Sequence, residues 1–428
     1  MDFSPATITL LVLAGMAILF VSEIVPLAIT AMSGAIVLGA TGVLTPQQVF
    51  SGLSNSTVVL FAGMFVIGAA MFHTGLAQKI GAAVVRAFGT GEMSLMFGTM
   101  LIAAVLSSIS SNTGTTAALM PVVVGICAAA KMPSSRQLMP LAFAAGFGGT
   151  MTLVGTPPNI IANAALKASD IPVFGFFEFA KIGIPITLVG MLYMMFIGKR
   201  LLPKIQPSSE DVTEAVAREA AIEEAASKKT VKMTITGLTL ICVVIVMAMD
   251  IKWFTLEMAA VSGAIVLVLT GCVTENQAYR GIDWVTIFLF AGMMPVATAL
   301  DKSGAGKIIA DEVIMFMGDH PSPYLLCAVL FALSAGLTQF MSNTASAALL
   351  CPIGISIAKG IDVSPHAVIM SIAIAASCAF ATPVGTPPNT LVLSAGGYRF
   401  MDYVRCGLPL TIIYLVLCCT LIPMIWPF

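Results

Sequence analysis

Apolar runs follow one another along the whole chain, many near the ~20 residues that span a bilayer, with short polar connections between them. At lipid depth every backbone polar group needs an internal partner, so the runs are predicted to be helices. In the first half they fall at 6–21, 26–43, 57–72, 138–165 and 182–199. In the second half they fall at 233–250, 256–272, 284–300, 365–395 and 406–425. Two further apolar segments, 92–131 and 322–359, are each broken near the middle by a polar patch. A full crossing would put that patch in lipid. A re-entrant hairpin hides it inside protein, where non-helical backbone is tolerated. The expected fold class is therefore an all-α polytopic membrane protein.

The polar patches repeat. "SSNTGTTAALMP" runs from Ser110 to Pro121, and "MSNTASAALLCP" from Met341 to Pro352. "GTPPN" at Gly155–Asn159 recurs at Gly385–Asn389. "SGAIVLGATGVLTPQQVFSGLSNSTVVLFAGM" from Ser33 aligns without a gap with the segment from Ser262, at an offset of 229. The other copies lie 230 or 231 apart, which implies a duplicated unit. Five crossings and one hairpin per unit is an odd number of crossings. The second unit is therefore expected to be inverted in the membrane, the arrangement of secondary transporters whose broken helices meet near the midplane. The units are placed at 1–202 and 233–428, joined by a linker at 203–232 whose "SSED" opening predicts a surface helix.

Composition agrees. Of 428 residues, 58% are hydrophobic and 10% charged, and the mean hydropathy is +1.00, beyond a soluble domain. A net charge of −1 gives no footprint for nucleic acid. The first run lacks the basic leader of a signal peptide and is expected to be a retained helix. Nine scattered cysteines show no ligand or disulfide spacing and are expected to be small membrane-core residues. Charge also orients the chain. Fourteen Lys and Arg residues fall on the side of the linker and six on the other, so the linker side is expected to be cytoplasmic and both termini outside. A multi-pass cell-membrane protein, in a bacterial inner membrane and in contact with lipid, is the resulting localisation. The first hairpin would open from the cytoplasm and the second from the exterior.

The apolar stretches hold essentially no ionisable residue. Glu23 and Glu257 are read at helix starts, and His73, His320 and His366 in connections. A proton-coupled pathway needs a titratable group at depth, and an intramembrane hydrolase needs a Ser/His or Asp pair there. Neither pattern is present, so the chain is read as no enzyme. Neutral oxygen is abundant instead. Each tip offers hydroxyls, an Asn amide and freed carbonyls, ligands that suit a hard cation. The helix that begins at each tip presents free N–H groups and a positive dipole end to an anion. The prolines of each GTPPN copy are expected to break their helices at the same depth. Ser108 and Thr116 are expected only to bond their own backbone. Ser107 and Thr338, one turn before the tips, fit that role less well.

At these residues the chain resembles the divalent anion/sodium symporter family, through paired "SNT" tips, paired "TPP" breaks and the repeat, over nearly all of its length. The resemblance implies sodium-coupled import of di- or tricarboxylates or sulfate, with C4-dicarboxylates favoured here. It assigns one sodium site to Ser107, Ser111, Asn112 and Gly155, and a second to Thr338, Met341 (backbone only), Asn343 and Gly385. The small anionic substrate would lie between the tips, touching Ser111, Asn112, Thr113, Ser342, Asn343 and Thr344. Thr156, Pro157, Thr386 and Pro387 would line its sides. A homodimer with an elevator-type moving domain is also implied. Other members carry an extra helix before the first repeat, whereas this chain is expected to begin with the repeat itself. A sodium-independent dicarboxylate exchanger is the nearest alternative; an arsenite or sodium/proton type would call for buried acids.

Overall fold

The computed structural model describes residues 4–22, 24–89, 91–205, 230–249, 251, 253–317 and 322–428. The linker helix expected within 203–232, Glu23 and His320 lie largely or wholly outside the described residues. Among those residues the fold is all helical, with no strand. Seven helices are long and apolar enough to cross a membrane, and five shorter apolar helices accompany them.

The two halves present the same elements in the same order. In the first half Pro5–Ser22, Leu27–Ala40 and Ser56–His73 precede a hairpin of Glu92–Ser107 and Asn112–Ala129. An interrupted helix, Ser135–Gly149 then Pro157–Ala168, and a continuous helical segment, 180–201, complete it. In the second half the corresponding helices are Thr230–Ala248, Leu256–Leu269 and Trp284–Ser303. The hairpin is Pro323–Leu337 and Asn343–Gly360, the interrupted helix Pro365–Ala376 and Pro387–Ala395, and the last helix Phe400–Ile425.

Packing between the halves is reciprocal. A Cβ on Gly63 would lie 2.7 Å from the carbonyl carbon of Ala260, and one on Gly292 would lie 2.5 Å from that of Ala31. Both Gly and Ala partners are related by the same 229-residue offset. Helix Ser56–His73 thus crosses Leu256–Leu269 backbone to backbone, as Trp284–Ser303 crosses Leu27–Ala40. Such contacts need small residues, and in lipid they supply the packing that a hydrophobic drive cannot.

Burial is arranged for an apolar solvent. Peripheral helices leave large side chains uncovered, among them Leu11, Ile18, Leu238, Ile241, Ile412 and Val416. By contrast, all ten residues from Ala367 to Ala376 are buried. Uncovered apolar area on this scale would be a liability in water and is the ordinary surface of a bilayer protein.

Three sequence expectations change. The interruptions begin upstream of the prolines, at Thr150 and Ser377. Pro157 and Pro387 instead occupy the first turn of the helices that follow. A proline lacks an N–H that the first turn would leave unbonded anyway, so it starts these helices rather than ending their predecessors. Segments read as connections also contain helices, Leu76–Ala87 and Ala305–Met317. They carry charges at Lys79, Arg86, Lys307, Asp311 and Glu312, so a search for unbroken apolar runs passes over them. His73 and His366 are helical, at a C-terminal end and in a first turn.

Candidate functional site

The hairpin tips are short turns. In the first, Glu92–Ser107 ends, Ser108–Ser111 turn, and a new helix begins at Asn112. Ser111 caps that helix, its hydroxyl accepting the Gly114 N–H at 3.3 Å. Ser342 does the same for Ala345 at 3.1 Å. The triplet Ser-Asn-Thr is thus a helix N-terminus, with the serine as cap. Ser108 and Thr116 bond the carbonyls of Val105 and Asn112 in the ordinary helical way.

Behind each tip, oxygens converge. The side-chain oxygen of Asn112 lies 2.5 Å from Ser107 Oγ and 3.2 Å from the carbonyl oxygens of both Ala145 and Gly155. That of Asn343 lies 2.7 Å from Thr338 Oγ1, 3.1 Å from the Ala376 carbonyl and 3.3 Å from the Gly385 carbonyl. All four positions correspond between the halves at an offset of 230 or 231. With the amide turned half around, its nitrogen would donate to the same three oxygens. With the oxygen inward, the cluster holds one hydroxyl hydrogen among four oxygens. This donor set fits a hard cation bound without a carboxylate. Ala376 ends its helix and Ala145 lies close to the end of its own. Both carbonyls belong to the negative ends of helix dipoles, which favour positive charge.

The interruptions that present these carbonyls are braced by a repeated motif, "TLVGTPPN" and "TPVGTPPN". The Thr152 hydroxyl donates to the Ser108 carbonyl and accepts the Gly155 N–H at 3.1 Å. Thr382 joins the Gln339 carbonyl, at 2.7 Å, to the Gly385 N–H, at 3.0 Å. Asn159 donates to the carbonyls of Gly149 and Thr152, and Asn389 to those of Ala379 and Thr382. Thr152, Thr382, Asn159 and Asn389 were not singled out from the sequence as site residues. The signal for Thr152 and Thr382 was the extension of the GTPPN repeat three residues upstream, and for Asn159 and Asn389 the last residue of the repeat itself.

One cavity of about 550 Å³ lies between the tips. Its wall includes Ser111, Asn112, Thr113, Thr156, Pro157, Ser342, Asn343, Thr344, Thr386 and Pro387, together with Gly155 and Gly385. The structure therefore brings all ten expected anion contacts to one space. Ser107, Thr338 and Met341 are buried behind it, and the Met341 side chain is 2% exposed. The three oxygens gathered about the Asn343 amide come from Thr338, Ala376 and Gly385 and do not include Met341. Ala145 and Ala376 were missed, because a ligand that acts through its carbonyl leaves no trace in its side chain.

The rest of the wall is largely apolar and includes Phe61, Met64, Phe65 and Phe72. Its ionisable residues are His73 and Asp283. These sit at one end of helices Ser56–His73 and Trp284–Ser303. The other ends of the same helices, about 25 Å away at 1.5 Å per residue, hold Ser56 and Asp301. There Lys167 meets Ser56 at 2.5 Å and Glu257 at 3.8 Å, and Lys359 meets Asp301 at 3.6 Å.

Known proteins share this architecture. The citrate transporter family model (CitMHS) matches residues 17–361 and 340–428. An uncharacterized transporter of Haemophilus influenzae is 31% identical, over 100% of this chain and 93% of its own length. The sodium-dependent dicarboxylate transporter SdcS of Staphylococcus saprophyticus is 26% identical, over 88% of this chain and 78% of its own. The crystal structure of the Alcanivorax borkumensis YdaH transporter superposes with a TM-score of 0.65, over 99% of this chain and 98% of that one, at 15% identity, a likeness of fold. A family match over most of the chain, on a polytopic helical fold, makes this protein a membrane transporter rather than an enzyme, consistent with the divalent anion/sodium symporters, and the chain belongs to the citrate transporter family.

Proposed function

We propose that the protein is a sodium-coupled symporter of divalent organic anions, with C4-dicarboxylates as the favoured substrates. The observation that carries this reading is the pair of matching clusters, each of one hydroxyl and two carbonyl oxygens converging on the amide of Asn112 or Asn343, on either side of one cavity. Each amide belongs to the first residue of a helix, so the same tip offers oxygens to a cation and N–H groups to an anion. An anion is repelled by the inside-negative potential, and its import needs cation partners. Two sodium ions would neutralise a dianion, and a third would make import electrogenic. The 26%-identical relative named for sodium-dependent dicarboxylate transport supports the same choice of ion and substrate.

The units are read as inverted repeats, with the linker side cytoplasmic and the termini outside. The end of the cavity lined by His73 and Asp283 then lies toward the cytoplasm, and the ion pairs of Lys167 and Lys359 lie at the exterior. Alternating access follows if the hairpins and interrupted helices move as a body against the crossed helices of the two halves, in a homodimer whose fixed parts pair. Lys204→Cys should label from the cytoplasm and Ser4→Cys from outside, on a cysteine-free background; the reverse pattern would overturn the orientation.

The test of function is uptake of labelled succinate, citrate and sulfate into proteoliposomes, with sodium or choline outside and a proton gradient imposed separately. Succinate uptake should follow the sodium gradient and survive collapse of the pH gradient. Full uptake in choline would eliminate symport. If that uptake also required dicarboxylate inside the vesicle, exchange would replace it.

A further inference from the structure

The second hairpin carries a buried side chain that the first half lacks. Gln339 follows Thr338 immediately behind the tip and is 8% exposed. Its Nε2 donates to the carbonyls of Ala335, at 2.8 Å on its own arm, and Cys378, at 2.9 Å in the facing interruption. Its Oε1 accepts the Ala381 N–H at 2.9 Å, and its backbone carbonyl accepts the Thr382 hydroxyl. One residue therefore grips 378, 381 and 382, the stretch that separates Ala376 from Gly385. Those are the two residues whose carbonyls face Asn343.

Ser108 stands at the corresponding place, 231 residues earlier. Its hydroxyl turns back onto Val105 at 2.8 Å, and its carbonyl accepts the Thr152 hydroxyl. The bond between the threonine and the hairpin carbonyl is common to both halves. The amide clamp belongs to the second alone. Unwound backbone at this depth must have its polar groups satisfied from within the protein. In the second half a side chain with donors and an acceptor does so, in a fixed arrangement.

We infer that Gln339 is a positioning residue for the second oxygen cluster, holding the Ala376 and Gly385 carbonyls toward Asn343 and making that cluster the tighter of two sodium sites. The inference rests on the reading that these clusters hold sodium. Ligands held in place before the ion arrives give up less freedom on binding it. Partners that orient metal ligands are worth about 10- to 100-fold in affinity.

The experiment uses the full chain in proteoliposomes. Gln339→Leu keeps roughly the side-chain volume and removes all three side-chain bonds; Ser108→Ala is the matched change in the first half. Succinate uptake is titrated with sodium, and the succinate KM is then measured at saturating sodium. Gln339→Leu should raise half-saturating sodium by about tenfold or more and leave that KM near wild type, while Ser108→Ala moves neither. A fall in maximal rate with unchanged sodium dependence would mean a structural role only and would overturn the inference. If Gln339→Leu fails to insert, Gln339→Met, which keeps the length of the side chain and removes the same three bonds, carries the same expectation, and an unchanged sodium titration there would overturn it equally. Wild-type uptake that ignores sodium would instead remove the sodium reading itself, so the two failures are distinguishable.

Discussion

The first and second oxygen clusters are made of matching atoms and enclosed by different neighbours. Each has an Asn amide, a hydroxyl and two carbonyls at an offset of 230 or 231. Around the first stand Gly149 and Ser108; at the same places around the second stand Ala379 and Gln339. A Cβ at Gly149 would lie 2.6 Å from Asn112 Oδ1. The first cluster is therefore packed too closely to admit a methyl at Gly149 and is lightly tied, whereas the second already accommodates a methyl-bearing residue and is clamped. After duplication, the atoms facing the centre stayed the same while the supports diverged. Equal ligands on unequal supports should give two sites with different affinities for the same ion, occupied in order.

The comparison breaks most severely if the two amides are not both required. Asn112→Ala and Asn343→Ala should each reduce succinate uptake by about tenfold or more at equal expression, because a buried group left without its partner costs ~1–3 kcal/mol. The double variant should be little worse than either single one, since both serve one transport event. Wild-type uptake in either single variant would make that tip merely structural. Gly149→Ala comes next. Its methyl would press on the Asn112 amide, and half-saturating sodium should rise by about fivefold, an overpacking cost of ~1 kcal/mol. Ala379→Gly, the exchange in the opposite direction, should change sodium dependence far less. Equal effects would mean that the two clusters do not differ in room.

The hydroxyls sharpen the same comparison at a smaller scale. Ser107 bonds the Asn112 amide in its cluster, whereas Thr338 bonds the Asn343 amide and also donates to the Ala376 carbonyl at 2.7 Å. On the proposed sodium reading, removing either would leave an ion one ligand short. Ser107→Ala and Thr338→Ala should raise half-saturating sodium by about two- to fivefold, as the loss of a ~0.5–1 kcal/mol interaction does, with the order of preference among succinate, citrate and sulfate unchanged. A change in that preference would place the hydroxyls on the anion instead.

Much of this was legible because lipid and duplication both write in side chains. Lipid selects apolar runs, so the positions of the long helices could be read from hydropathy. Duplication repeats polar side chains against an apolar background, so Ser-Asn-Thr and GTPPN stood out, and the structure gathers them about one cavity. Backbone chemistry was harder to read. The carbonyls of Ala145 and Ala376 could have belonged to any residue that ends a helix at that point. The interruptions at 150–156 and 377–386 were blamed on prolines that in fact start the following helices. Gln339 escaped notice because its importance lies in a difference between the halves, and the repeat was read for what the halves share.

The smallest expected effect concerns the two ends of the cavity rather than its two halves. At one end stand His73 and Asp283. At the other, Lys167 bonds Ser56 and lies near Glu257, while Lys359 pairs with Asp301. Each lysine belongs to a hairpin or an interrupted helix, and each partner to one of the crossed helices. The pairs thus join the body read as moving to the body read as fixed, at the end away from His73 and Asp283. Partly exposed pairs contribute ~0.2–1 kcal/mol each, enough to bias a balance between conformations without setting it. Lys167→Met with Lys359→Met should therefore lower the population open toward His73 by about two- to fivefold. An Ala69→Cys probe at that mouth, on a cysteine-free background, should react more slowly by the same factor with an impermeant thiol reagent on the cytoplasmic side. Saturating sodium and succinate should narrow the difference, because a bound ligand adds its own preference among the states. Faster labelling in the paired variant would mean that the ion pairs oppose opening toward His73, and unchanged labelling would mean that they hold neither state.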